Sequence, residues 1–402
     1  MKRTLSATAR SVPVHLSSIP LSLHTFFSFF CVFLLWATGC GTVAPVFREP
    51  SEGEKTTVRV AVLREAREFT LESESAVLSY NSDTEKLPSE INITIEQEYV
   101  RIANRQYLYP VRIKSDTPFV INGKKYYGDL RFIKGLVFNE VPLEIYLQGV
   151  VASEVAEDWP EEALKAQAVV SRTYAYGRIL SNRDGKYDIE DTEMHQKYEY
   201  AERAPRIADA VSATEGLVIL YDGSPIEAFF HSSSGGITEN CGDVFQRDIQ
   251  YLRAFPDPYS VDNEYFLWQY SIEGKNIAYA LDLGNGSMRL TDIRIGGKTG
   301  SGRVSHFILE FNGKERHIVK GNSMRLLLGP KDFKSLFLLS IDKMKKEGDS
   351  VYTFTGRGYG HGVGMSQLGA RAMAYQGFSF DQIIAFYYRG SRLDNYRFSS
   401  NG

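Results

Sequence analysis

Between Val58 and Phe138 the chain keeps one rhythm, with apolar and polar residues alternating in short runs: VRVAVL at 58–63, INITIEQEYVRIA at 91–103, YLYPVRIK at 107–114 and YYGDLRFIKGLVF at 126–138. A period of two, rich in Val, Ile and Tyr, sends alternate side chains to opposite faces, which is a strand pattern. Asn122-Gly123 supplies adjacent residues that tolerate positive φ, as a tight hairpin requires. This much local alternation commits the region to mostly antiparallel β structure.

At Pro160 the texture changes. In PEEALKAQAVVSRTYAYGRIL, Leu164, Ala168, Ser171, Ala175 and Ile179 recur at helical spacing, with Pro160 at the first helical position and Glu161 and Glu162 in the first turn. The alanines and Gly177 leave room for another backbone, so the segment reads as a buried central helix. Further helical stretches are expected over Ser366–Tyr375 and Asn322–Leu328. Between about Trp268 and Gly348, glycines 284, 286, 296, 297, 300 and 302 punctuate short strands with no fixed repeat, as in an inserted lobe. The expected class is α+β: a mostly antiparallel, β-rich domain with a buried central helix and an inserted mixed α/β lobe.

Composition narrows the function classes. Apolar residues make up 43% of the 402, enough for a real core. Forty-six Lys and Arg against 49 Asp and Glu give a net charge of −3, so no overall basic field draws the molecule to nucleic acid. Three cysteines, Cys31, Cys40 and Cys241, exclude a disulfide-stapled scaffold and a four-cysteine zinc module.

The N-terminus carries an address. Lys2, Arg3 and Arg10 precede the run FFSFFCVFLLW from Phe26 to Trp36, and Ala37, Thr38 and Gly39 follow, which is the basic, apolar, small order of an export signal. As a helix the run would rise only about 16 Å against a hydrocarbon core of roughly 30 Å, so a permanent span is not expected. Ala-Thr-Gly-Cys resembles a bacterial lipobox, with Ala37 where Leu is usual, and would leave Cys40 as a lipidated first residue. Ordinary cleavage near Gly39 to Gly41 is the alternative; in both cases the chain is exported to the cell envelope, facing periplasm or wall. The segments expected are therefore a signal peptide at 1–39, a tether at 40–57, a main domain at 58–392 with its lobe at about 268–348, and a tail at 393–402.

Three clusters could carry chemistry: VVASEVAEDWP at 150–160, FFHSSSGGITENCGDVF at 229–245 and GRGYGHGVGMSQLGARA at 356–372. None is a phosphate loop, because the third lacks a Gly-Lys-Ser/Thr ending and its glycines miss the dinucleotide spacing. Several His and Ser residues exist, yet no nucleophile-elbow pattern supports Ser-His-Asp hydrolysis.

Residues 138–178, FNEVPLEIYLQGVVASEVAEDWPEEALKAQAVVSRTYAYGR, closely resemble the core of the SpoIID family, which includes the LytB amidase-enhancer proteins. The likeness continues in order through HQKYEY, AFFHSSSGG, TGSGRV, SMRLLLGPKDFKS and GRGYGHGVGMSQLGARAMA, and so spans most of residues 58–392. It implies action on bacterial peptidoglycan as a lytic transglycosylase that cuts glycan strands, favouring those stripped of peptide stems. In that reaction the muramic 6-hydroxyl closes on its own C1 and leaves a 1,6-anhydro end, so one well-placed carboxyl can suffice. The family's catalytic Glu maps onto Glu154. Its neighbours Val150, Val151, Ala152, Ser153, Val155 and Ala156 are apolar or small, and desolvation there favours a proton-donating carboxyl. Glu157 and Asp158 read as solvated or helix-capping acids.

Substrate contacts are expected from His231 with Ser232 and Ser233, at a strand end beside a polar loop, and from His361, Ser366 and Gln367 in the glycine-rich third cluster. A tightly packed structural loop is the other reading of His361. Arg172 offers its planar fork either to a muramic lactyl carboxylate or to a structural acid. Gln196 and Tyr198 match a Gln-x-Tyr element of the family and would supply an amide and an aromatic platform. Some members hold zinc through His and Cys near this point, but His231 and Cys241 are too few for a structural site, so neither metal nor cofactor is expected. Expected partners are peptidoglycan glycan strands, an N-acetylmuramoyl-L-alanine amidase and, through the lipid anchor, the membrane; nucleic acid is not among them. The rival function is a non-catalytic, wall-binding enhancer of that amidase. A purely structural envelope lipoprotein would leave the polar glycine-rich clusters without a purpose.

Overall fold

The computed structural model describes residues 56–63, 67–182, 185–192, 196–201, 204–282, 289–313, 315–346 and 348–395. The export segment, most of the tether and Cys40 lie outside them. The alternating runs form two sheets over a shared core. One orders its strands Ile189–Glu190, Thr57–Leu63, Leu136–Pro142, Asp129–Ile133, Val111–Lys114, Val77–Tyr80 and Asp83–Lys86, antiparallel except for the parallel pairing of Ile189–Glu190 with Thr57–Leu63. The other orders Lys124–Tyr126, Phe119–Ile121, Glu68–Glu72, Glu90–Ile95, Tyr99–Ile102 and Arg105–Leu108, all antiparallel. Pairing of Val58 with Val141 sets a register that buries Val58, Val60, Val137 and Val141 together. At the expected hairpin Asn122 and Gly123 have φ of 51° and 80°, the pair of positive values that a two-residue turn of this kind needs.

The sheets lead into helix α1 (Leu143–Glu154), an extended Val155 and helix α2 (Glu161–Ser181). Pro160 stands one residue earlier than expected, as the N-cap, because its ψ of 140° is extended. α2 is central in a literal sense. Leu164, Ala168 and Ala175 face the core shared with the sheets, while Ala166, Val169 and Val170 face a second core built with Ile219, Val363, Met365, Met373, Ile384 and Tyr388. Helix α3 (Pro205–Ala213) packs on α1 and α2, and α4 (Cys241–Phe245) borders the second core. That core also takes in α7 (Gln367–Tyr375) and α8 (Phe380–Tyr387), with strand Leu217–Tyr221 closed at its edge by Arg392–Asn395. The chain beyond Tyr388 thus returns to the sheet where a tail from residue 393 was expected.

The lobe has a third core of Trp268, Phe307, Phe311, Phe333 and Phe354 between two three-stranded sheets, with α5 (Gly274–Ala280) and α6 (Gly321–Leu327) against them. Its closing strand, Asp349–Gly356, pairs with both Trp268–Glu273 and Leu338–Lys346, so the lobe runs to Gly356. Among the described residues no helix is long and apolar enough to cross a membrane.

A short parallel pairing of Phe230–His231 with Met365–Ser366 joins the second and third sequence clusters. It depends on Gly364, whose φ is +75° and whose missing Cβ would run into the Phe229 carbonyl oxygen. Gly364→Ala is expected to cost about 2–3 kcal/mol, read as a lowered denaturant midpoint at unchanged slope; an unchanged midpoint would mean that the two segments need not touch.

Candidate active site

Glu154 is the last residue of α1, half-buried at the elbow between α1 and α2. The helix forms because Leu143, Tyr146, Leu147, Val150 and Val151 follow the i, i+3, i+4, i+7, i+8 rule and pack inward. It ends where Val155 turns extended and Pro160 starts the next helix.

α7 meets this elbow. The Ser366 hydroxyl accepts from the Gly369 amide at 3.2 Å and starts the helix, which aims the Gln367 side chain at Glu154. Gln367 Nε2 lies 3.4 Å from both Glu154 Oε2 and Gln167 Oε1. The polar floor continues inward, with Gln167 donating to the Ser171 hydroxyl at 3.1 Å, Gln196 reaching the Ser171 carbonyl at 3.4 Å and the Tyr146 hydroxyl donating to Gln196 Oε1 at 3.0 Å. Glu154 is thus the surface end of a buried chain of amides and hydroxyls. Glu157 has other work, accepting from the Arg206 amide at 3.0 Å in the first turn of α3, and Asp158 is exposed.

Behind Ser366 lies a second network. Ser260 Oγ is 3.0 Å from Ser366 Oγ and 3.1 Å from Ser233 Oγ, and Ser234 donates to Asp257 Oδ2 at 2.7 Å. The Tyr387 hydroxyl also reaches Asp257, at 3.2 Å from each carboxyl oxygen. Asp257 is wholly buried, and desolvation pushes its carboxyl up to about 6 despite these donors. Between about pH 4 and pH 6 the folded protein therefore holds a proton that the unfolded chain has released. Stability falls as pH rises through that window, by up to about 3 kcal/mol from this group. Asp257→Asn is expected to remove that slope from a series of denaturant midpoints; equal slopes in parent and variant would contradict it.

Arg303, 2% exposed, binds the loops to one another. Its Nη2 donates to the carbonyls of Ser234 at 2.7 Å and Ile237 at 2.8 Å, and its Nη1 to Ser301 Oγ at 2.9 Å and the Thr238 carbonyl at 3.3 Å. Gly362 lies against the guanidinium, where a Cβ would come within 2.6 Å of Cζ. Burial lowers this group to about 10. Glu239 completes the clamp by accepting from Thr299 at 2.6 Å and Ser301 at 2.7 Å, while its backbone amide donates to the Gly362 carbonyl at 2.8 Å. Residues 299–303 of the lobe thereby hold the second and third clusters in place.

His231 and His361 lie with ring centroids 5.6 Å apart. His231 Nδ1 donates to the Val363 carbonyl at 3.1 Å, its Nε2 has no hydrogen-bond partner among the described residues, and burial holds the ring well below its usual range. His361 Nδ1 accepts from the Val363 amide at 3.0 Å; burial first, then the charges of Arg325 and Arg303, lower it to about 3. Both rings are neutral at physiological pH. Cys241 is 1% exposed in the second core, and burial pushes its thiol up to about 11. Among the described residues no group of three or more His, Cys, Asp or Glu is placed to hold a metal ion.

Several expected substrate contacts need correction. Arg172 is fully buried and grips Glu144 through Nε and Nη2 at 2.9 and 2.7 Å, so its partner is the structural acid. Tyr198 is 1% exposed and packs on Tyr146 at 4.8 Å between ring centroids, which makes it core and not a sugar platform. Gln196 is 1% exposed and belongs to the floor below Glu154. The hydroxyls of Ser233 and Ser366, at 1% and 0% exposure, serve the network behind α7, leaving half-buried Ser232 as the accessible serine of the loop. Sequence reasoning missed Gln167, Asp257, Ser260 and Arg303. Arg303 lies in the quoted TGSGRV, but a buried arginine that binds carbonyls reads as solvated from sequence, and Asp257-Pro258 reads as an ordinary turn.

The family profile described as stage II sporulation protein matches residues 134–221, and a domain of unknown function matches residues 245–364. The chain is 34% identical over 271 residues to stage II sporulation protein D of Bacillus subtilis, covering 63% of this chain and 74% of that protein. It is 30% identical over 355 residues to an uncharacterized protein of Brachyspira hyodysenteriae, covering 84% and 93%. An amidase enhancer of Bacillus subtilis is 29% identical over 347 residues, 73% of this chain and 47% of that protein.

Proposed function

The chain belongs to the SpoIID family of stage II sporulation proteins, and on that premise we propose that it acts on the bacterial cell wall as a peptidoglycan lytic transglycosylase. Its substrate is the glycan strand, preferably stripped of peptide stems, cut between N-acetylmuramic acid and N-acetylglucosamine. Glu154 serves in turn as general acid and general base. Its carboxyl gives a proton to the leaving glycosidic oxygen as the bond to C1 breaks. The carboxylate then takes the proton of the muramic 6-hydroxyl as that oxygen bonds to C1, so water is not consumed and the strand ends in a 1,6-anhydro ring.

The observation that carries this reading is the Glu154 carboxyl at the end of α1, within reach of the Gln367 amide where the first and third clusters meet. Hydrolysis would call for a second carboxylate to act on water or on C1, and the nearest acid along the chain, Glu157, is committed to α3. Export, with lipid anchorage at Cys40, is part of the proposal and is supported by the basic, apolar, small order of the first 40 residues.

Stripped strands incubated with the protein should yield fragments one water lighter than hydrolytic products, read by mass spectrometry. The relative named amidase enhancer favours a second reading, in which the fold binds wall and raises the rate of an N-acetylmuramoyl-L-alanine amidase. Intact strands together with a stimulated amidase would replace the first reading with the second.

A further inference from the structure

Gln367, Arg371 and Tyr375 follow one another at intervals of four residues on α7, so they line one side of the helix over about 12 Å. Gln367 reaches Glu154. One turn on, the guanidinium of Arg371 lies 5.1 Å from the centre of the Trp159 ring, and Trp159 belongs to the same α1–α2 elbow as Glu154. One turn further, Tyr375 is 71% exposed. Leu368, Gly369, Ala370 and Met373 fill the buried side of α7, so neither Arg371 nor Tyr375 is needed for its packing.

A cation set against one aromatic ring, with a second aromatic a turn away, suits a sugar ring that carries a negative charge. The apolar face of the sugar stacks on an aromatic surface and its carboxylate meets the guanidinium fork. We propose that Arg371, with Trp159 and Tyr375, forms the subsite beside Glu154 that binds the free lactyl carboxylate of a muramic residue whose peptide stem has been removed. The inference rests on the glycan-cleaving reading above and gives that site a means of telling stripped strands from strands whose lactyl group is still in amide linkage. Arg371 Nη2 now pairs with Glu264 at 2.9 Å, and with Glu264 half exposed the pair is weak enough for a substrate carboxylate to displace it.

The test is equilibrium binding of the protein to stripped strands and to the same strands with their carboxylates converted to neutral amides. The parent should bind the carboxylate form about tenfold more tightly, and Arg371→Gln should lose that preference while binding the amidated strands as the parent does. Glu264→Gln, which removes the competing acid, should tighten binding to the carboxylate form only. Equal binding of the two polymers by the parent, equal weakening of both by Arg371→Gln, or no tightening by Glu264→Gln would each overturn the subsite. Binding needs no turnover, so strands bound in the expected pattern but never cut would uphold the subsite and reject only the cleavage reading.

Discussion

Glu154→Gln is expected to lower the rate of anhydro-end formation on stripped strands by about a thousandfold or more, because in the proposed reaction one group supplies both the proton donated and the base that recovers it. The amide keeps the shape of the side chain and can still accept from Gln367, so the fold should survive. A melting temperature within about 2 °C of the parent, measured on the same preparation, separates lost chemistry from lost structure. A variant that kept a tenth or more of the parent rate would remove Glu154 from the reaction.

The second large effect is on stability. Arg172, wholly buried on α2, holds Glu144 on α1 with two nitrogens, donates to the Val211 carbonyl at 3.1 Å in the last turn of α3, and reaches Thr214 Oγ1 and the Leu217 carbonyl at 3.3 Å each. One guanidinium thus joins three helices and a strand, with its charge at the negative end of α3. Arg172→Met fills much of the space but leaves those carbonyls and Glu144 without their donor. A loss of about 3–5 kcal/mol is expected from denaturant unfolding, as for other buried pairs that lose one partner. Glu144 is 31% exposed, which puts the result toward the lower end of that range. A loss under about 1 kcal/mol would mean that the pair behaves as a surface ion pair.

The strand region and the central helix were legible in the sequence because their signals are local. Alternation at 58–138, Asn122-Gly123 and the Pro160 start each follow from neighbours within a few residues. α1 carried the same kind of signal in Leu143, Tyr146, Leu147, Val150 and Val151 but lay inside a stretch read for its motif, and α8 carried a capping box at Ser379 and Gln382 that went unread. What was not legible is how polar residues divide between cleft and core. Arg172 and Arg371 look alike in sequence, yet one is buried against Glu144 and the other lies half-exposed over Trp159. Tyr198 reads as a surface aromatic until Gly149 of α1 is seen packed against its ring. The buried cluster of Asp257, Ser234, Ser260 and Ser366 joins residues up to 132 positions apart, and no local pattern encodes such a meeting.

The most direct test of the account is digestion of stripped glycan strands in heavy-oxygen water, followed by mass spectrometry of the new ends. Intramolecular closure governed by Glu154 predicts anhydro ends that carry no heavy oxygen. New reducing ends that do carry it would show water as the nucleophile and contradict the single-carboxyl mechanism.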